Sequence, residues 1–326
     1  MNTTSIKGLT RDENKVKVDG FTFTIKKGDE ENPLAWTPLV KNGSVNCVRM
    51  STEGGLCNRL WILLYAYEFA RLTNISCEIE WRMEYEKYQH KKLEEHDNQF
   101  YGHFFDPRKD IKLTVIPAHP QLPFREGTLG LPPCNLRIAR QFFTSFTKRN
   151  LNETRIFHLL LNPESRSLFR PSSLVKRECL EFWTELGSLK DYHGIHYRGG
   201  LGYAGYGDFR NRKTFEEYLH IARSKSNFRR FIASDNPKSI DTFKENLANV
   251  YHQDGVDYSK IIRNKRASFM RSTMLATLVD FWTLVFCGSF DGTPRSSFTT
   301  TIKLFRQIFL LDKMLNGGKL KEDWFV

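Results

Sequence analysis

The chain has 326 residues, enough for two ordinary domains with packed cores. Hydrophobic residues make up 40% of it and aromatic residues 13%, which excludes a disordered chain. The net charge of +12 favours anionic partners, but Lys and Arg are spread along the sequence, which excludes a block-basic nucleic-acid tail.

The six cysteines include no C-x-x-C pair, so neither a zinc ribbon nor a thioredoxin-type motif is expected, and most read as buried thiols. Met1 to Lys27 is polar and lacks the apolar centre of a signal peptide. No uncharged apolar run reaches the roughly 18 residues of a membrane span, and Met274 to Phe290 carries Asp280. The expectation is a cytoplasmic protein without a span.

Residues 1–44 are polar and turn-rich and read as an extension, with a hairpin strand in Phe21 to Ile25. Ser44 to Met50 reads as a strand. A glycine-bearing turn, Gly54-Gly55-Leu56-Cys57-Asn58, leads into a helix over Arg59 to Thr73, with Leu60, Leu63, Leu64, Tyr67 and Ala70 on helical spacing. Ile75 to Trp81 is a second strand. This strand–helix–strand order is a βαβ unit, which implies a parallel sheet.

Residues 82–135 read as loops with short helices, and helices are expected over Arg137 to Thr147 and Pro171 to Leu186. A second alternating series follows. Strands are expected at Tyr192 to His196, Arg229 to Ala233, Asn249 to His252 and Thr283 to Gly288. Helices are expected at Thr214 to Ser224, Pro237 to Leu247, Phe269 to Trp282 and Ser297 to Leu310. The fold class is therefore α/β with two Rossmann-like lobes. The divisions are 1–44 (extension), 45–165 (N-terminal lobe) and 166–326 (C-terminal lobe).

Three turns lie just past expected strand ends, where open α/β sheets bind ligands. In the first, Gly55 permits close backbone approach and Asn58 is a candidate helix cap; an ordinary βα turn has the same look. In the second, His196-Tyr197-Arg198-Gly199-Gly200, a strand ends in an Arg that opens a glycine-rich loop. A guanidinium fork suits a phosphate, and glycines let amides crowd the same anion. In the third, Gly288 to Thr299, Ser296 and Ser297 start a helix; they donate to a phosphate or simply cap. Between the last two lies Ala233-Ser234-Asp235-Asn236-Pro237, where Ser234 or Asp235 caps a helix whose N1 is Pro237, or Asp235 accepts from a ligand. No Asp-x-Asp, Walker phosphate loop, H-E-x-x-H or G-x-S-x-G is present, so no metal site is expected.

Together, Gly54 to Asn58, His196-Tyr197-Arg198, Ala233 to Pro237 and Ser296-Ser297-Phe298 resemble, in order and spacing, the GDP-fucose-dependent fucosyltransferases. These include the core α1,6-linking, α1,2-linking, protein O-linked and rhizobial nodulation enzymes. Asp280, in the apolar helix before the last motif, adds to the likeness. It covers roughly residues 45–82 and 170–310. The resemblance implies a GT-B-like fold and an inverting transfer of sugar from a nucleotide sugar to a glycan or glycoconjugate, with no metal or other cofactor. It implies that Arg198 holds the diphosphate, that His196 and Asp235 lie near guanine and ribose, and that Ser296, Ser297 and Phe298 close over the phosphates. Gly55 and Asn58 would approach from the N-terminal lobe, and no nucleic-acid partner is implied.

A direct displacement needs help for the acceptor hydroxyl, and Glu53 and Asp208 are the candidate bases. Relatives carry a large residue and then an acid after the motif Arg, whereas this chain has Gly199, Gly200 and Leu201. That departure motivates an alternative: a catalytically inactive nucleotide-sugar or glycan-binding protein on the same fold.

Overall fold

A computed structural model describes residues 10–12, 15–18, 21–24, 46–52, 55–81, 101–106, 113–117, 128–134, 136, 139–140, 142–143, 152–198, 213–253, 267–316 and 325. The chain divides into two compact units. The first is Met1–Lys91 with Phe100–Arg170, and the second is Lys92–Gln99 with Pro171–Val326.

The first unit opens with three short antiparallel strands, β1 (Thr10–Asp12), β2 (Lys15–Val18) and β3 (Phe21–Thr24), where the sequence had suggested one hairpin strand. Its main sheet holds β4 (Cys47–Thr52), β5 (Ser76–Trp81), β6 (Leu113–Pro117) and β7 (Thr128–Cys134), in the order β6-β5-β4-β7 and all parallel. The strands β6 and β7 replace loops expected in 82–135. Their prolines and glycine hide them in the sequence, and Pro is tolerated because both are outer strands, where a missing N–H breaks no central ladder.

Helix α1 (Leu56–Thr73) connects β4 to β5 and is buried on nearly every side. It starts three residues earlier than its apolar spacing suggested. It ends at Asn74, whose left-handed φ of 60° lets its N–H return to Ala70 O at 2.9 Å. Short α2 (Tyr101–Phe104) precedes β6, and α3 (Glu153–Leu161) and α4 (Pro163–Arg166) close the unit. Glu68 of α1 is fully buried and pairs with both Arg71 and Arg155, so the charge is compensated while α3 is tied to α1. Tyr67 donates to Glu164 at 2.7 Å on the same side. Of the expected helix at Arg137 to Thr147, four described residues are helical, and Phe142 and Phe143 pack on Phe69 at 5.9 and 5.5 Å.

The second unit holds α5 (Ser173–Leu186), β8 (Tyr192–Tyr197), α6 (Phe215–Ser224), β9 (Arg229–Ser234), α7 (Pro237–Asn246), β10 (Val250–Tyr251), α8 (Ala267–Phe286), β11 (Ser289–Gly292) and α9 (Ser297–Leu315). The sheet order is β10-β9-β8-β11, again all parallel. One face is closed by α6 and α7, with Tyr218, Leu219, Ile240 and Phe243 packed on Ile195 and Ile232.

The expected strand at Thr283 to Gly288 is instead the end of α8. Its β-branched and aromatic residues look strand-like, but tertiary contacts override that preference. Trp183 Nε1 donates to Thr283 Oγ1 at 2.9 Å, and Leu284 and Val285 are buried. Arg306 of α9 donates to the carbonyls of Leu284 and Val285 at 3.0 Å, occupying acceptors left over at the helix end. At Gly288 a Cβ would stand 2.0 Å from Lys190 O, so only glycine fits the turn into β11. The core beside α8 is aromatic: Trp282 is fully buried against Phe305, Phe309 and Phe325.

The described cysteines, Cys47, Cys57, Cys77, Cys179 and Cys287, are buried free thiols, as their surroundings suggested. Among the described residues no helix is long and apolar enough to cross a membrane.

Candidate functional site

In the second sheet β8 is the first strand in chain order. β9 and β10 lie to one side of it and β11 to the other, so the strand order reverses at the β8/β11 boundary. Open parallel sheets bind ligands outside the carboxyl ends at that reversal. Here those ends are His196-Tyr197-Arg198 from β8 and Gly292-Thr293 from β11.

Thr293 knits the two ends together. Its N–H donates to His196 O at 2.9 Å, which extends the ladder one step past β11. Its hydroxyl accepts from the Arg198 N–H at 2.9 Å. The guanidinium of Arg198 lies 3.9 Å from the Asp235 carboxylate, and both side chains are partly exposed.

His196 is held by α9. Its Nδ1 lies 2.8 Å from Thr299 Oγ1, and its ring packs on Phe298 at 4.8 Å. Loss of water, then the nearby Arg198 charge, lowers its pKa to about 3, so the imidazole is neutral at physiological pH. The close seating of α9 requires Gly292. A Cβ there would meet Thr299 Oγ1 at 2.7 Å and Phe290 Cζ at 2.9 Å.

Helix α9 begins next to this cluster. Arg295 takes a left-handed φ of 60°, and the buried Ser296 caps the helix by accepting from Thr299 N at 3.5 Å. The amides of Ser297 and Phe298 head the helix, where donors have no preceding carbonyl.

On the neighbouring strand, Ser234 ends β9 opposite Tyr197, and its hydroxyl accepts from Asn236 N at 3.1 Å. The cap of α7 is Asn236, which accepts from Lys238 N at 3.1 Å with Pro237 at N1. Neither Ser234 nor Asp235 caps that helix, and Asp235 faces Arg198 instead.

The second unit thus gathers His196, Arg198, Asp235, Ser296 and Phe298, with Ser234 and Ser297 adjoining. Gly55 and Asn58 belong to the first unit. Gly55 occupies the N-cap position of α1 with no side-chain cap, and Asn58 is the third residue inside the helix, so Asn58 is not its cap. Glu53 and Asp208 lie outside the described residues. Among the described residues, no three His, Cys, Asp or Glu side chains gather to hold a metal ion.

Sequence reasoning did not single out Thr293, Thr299 or the Lys213–Asp291 pair at 3.4 Å. The hydroxyl residues at 293, 296 and 299 recur every third position, a visible signal, but only the sheet shows that two of them serve β8. Asp280 is another buried polar group, held by Gln253 Nε2 at 2.5 Å.

No family model and no curated protein matches the chain. Solved structures do. Fucosyltransferase NodZ from Bradyrhizobium is 17% identical at a TM-score of 0.47, the match covering 80% of this chain and 93% of that one. POFUT1 in complex with GDP-fucose is 12% identical at a TM-score of 0.45, covering 80% and 94%. Arabidopsis thaliana FUT1 in complex with GDP is 11% identical at a TM-score of 0.40, covering 86% and 73%.

Proposed function

We propose that the chain is an inverting, metal-independent glycosyltransferase that moves fucose, or a related deoxysugar, from its GDP form to a glycan hydroxyl. The observation that carries this is Arg198 at the strand-order reversal, its main chain bonded to Thr293, with Ser296, the N-cap of α9, three residues beyond Thr293. The four sequence motifs supply the family reading.

The chemistry follows from charge. The acceptor oxygen attacks C1 of the sugar, the bond from C1 to the phosphate oxygen breaks, and the electron pair leaves with GDP. The acceptor proton passes to a base, for which Glu53 and Asp208 are the candidates. Negative charge grows on the diphosphate, and a guanidinium with helix-terminal amides stabilises it without a metal. His196, being neutral, contributes no charge of its own, which leaves charge stabilisation to Arg198. On the family reading, Ser296, Ser297 and Phe298 would close over the phosphates. On this reading a C-terminal lobe (166–326) takes the donor. An N-terminal lobe (45–165) takes the acceptor in a GT-B-like arrangement and brings up Gly55 and Asn58.

The test is calorimetric binding of GDP, UDP and dTDP side by side, with release of GDP from GDP-fucose as the turnover assay. GDP is expected to bind tightest. Arg198→Ala is expected to weaken it by about tenfold or more, since a charge-assisted hydrogen bond contributes roughly 1.5–3 kcal/mol. Near-normal GDP affinity in that variant refutes the role of Arg198. Turnover should persist in EDTA; its loss there, restored by manganese, overturns the metal-free mechanism.

A further inference from the structure

Arg198 stands one residue beyond the end of β8, and β11 ends at Gly292. Its N–H therefore has no strand carbonyl in the ladder to β11. A side chain stands in. The Thr293 hydroxyl has one proton and two lone pairs. The proton goes to His196 O at 3.2 Å, and one lone pair takes the Arg198 N–H at 2.9 Å. Tyr218 OH approaches as a second donor at 3.4 Å. Thr293 is 2% exposed, so this arrangement is shielded from water.

The guanidinium reaches toward Asp235. The Arg198 side chain is 47% exposed, and its separation from Asp235 is 3.9 Å. Exposed ion pairs of that length restrain a side chain weakly. The main chain at Arg198, in contrast, is tied to a buried hydroxyl.

We propose that Thr293 is a positioning residue for the donor. Its hydroxyl locks the main chain at Arg198, and so places the guanidinium to receive the phosphates of a nucleoside diphosphate. The inference rests on the donor-site reading given above. Valine at 293 keeps the shape of threonine and removes the acceptor, so the Arg198 N–H loses its partner. Serine keeps the hydroxyl.

The experiment measures GDP and guanosine affinity by calorimetry in the wild type, Thr293→Val, Thr293→Ser and Arg198→Ala, with melting temperatures alongside. Thr293→Val is expected to weaken GDP about three- to tenfold, the range for one neutral hydrogen bond. Guanosine, which has no phosphate for Arg198 to grip, should bind as before. Thr293→Ser should restore GDP affinity. Should Thr293→Val not fold, Tyr218→Phe removes only the weaker donor and should give a smaller loss confined to GDP. Equal losses for GDP and guanosine overturn the inference, because they mark general damage. Normal GDP binding in Thr293→Val, with a loss in Arg198→Ala, overturns it while leaving the donor site intact. Normal GDP binding in both variants sinks the donor-site reading, and the inference with it.

Discussion

The sheets β6-β5-β4-β7 and β10-β9-β8-β11 run their strands in the same relative order, all parallel, yet their carboxyl ends are furnished differently. In the first sheet, Trp81 at the end of β5 packs on Tyr101 at 5.3 Å and Phe105 at 6.4 Å, under the Arg59 guanidinium. All four side chains are buried. In the second, the end of β8 meets hydroxyls, a neutral imidazole and a half-exposed guanidinium. Helix starts differ as well. Helix α1 follows β4 at once and has no side-chain cap, whereas α6 is closed by a capping box from Thr214 and Glu217. In the second unit the helix start beside the polar cluster is that of α9. Strand order nominates the end of β8 for a ligand, and the side chains there decide what that place does.

Acid should separate the two sheets most strongly. His193 is fully buried in β8, with Nδ1 3.0 Å from Ser289 Oγ. Burial lowers its pKa to about 4, and Asp291 only partly offsets this. The folded value thus lies below the usual 6.5. As pH falls, the unfolded chain takes the proton first. The stabilisation is present above pH 6.5 and is lost between there and about 4. Each pH unit inside that window costs about 1.4 kcal/mol, so roughly 3 kcal/mol is at stake. His196 acts in the same direction. In the first unit the described histidine side chain, His158, is exposed. Hydrogen exchange between pH 6.5 and 4.5 should therefore show β8 and β11 losing protection before β4 and β5, and His193→Asn should flatten the response. Identical acid profiles in the two sheets would show that the buried histidines do not govern the acid response of the second sheet.

A smaller effect is expected at Gly292. Alanine there drives a methyl against Thr299 and Phe290, and overpacking of this kind costs about 1–3 kcal/mol. Because Thr299 holds His196, the same change should weaken GDP binding. Urea denaturation and calorimetry read the two losses. A destabilised protein with unaltered GDP affinity would show that α9 can shift without disturbing the site.

Much of the second unit was legible because its signals are local. Pro237 after a strand marks a helix start, and Thr214 with Glu217 spells a capping box. The run from His196 to Arg198 sits at a strand end in sequence and in structure. What escaped depends on partners distant in sequence. The stretch from Thr283 to Phe286 is helical because Trp183 and Arg306 engage it, and neither is nearby in the chain. Leu113–Pro117 is a strand because an outer position forgives its proline. The role of Thr293 follows from a strand pairing across 95 residues, which no local pattern contains.

The finest test returns to the first sheet. Gly55 has ordinary backbone angles, φ −64° and ψ 164°, and a Cβ added there meets nothing within 4 Å. Nothing in the fold therefore demands glycine. Alanine is a poorer N-cap, at a cost of a few tenths of a kcal/mol or somewhat more. It also stiffens the unfolded chain, which offsets roughly that much. The melting temperature of Gly55→Ala should stay close to that of the wild type, in contrast to Gly292→Ala. If Gly55 is bare so that a ligand can approach the start of α1, turnover of GDP-fucose should still fall, because a methyl occupies the approach. Unchanged turnover would reduce Gly55 to a turn residue.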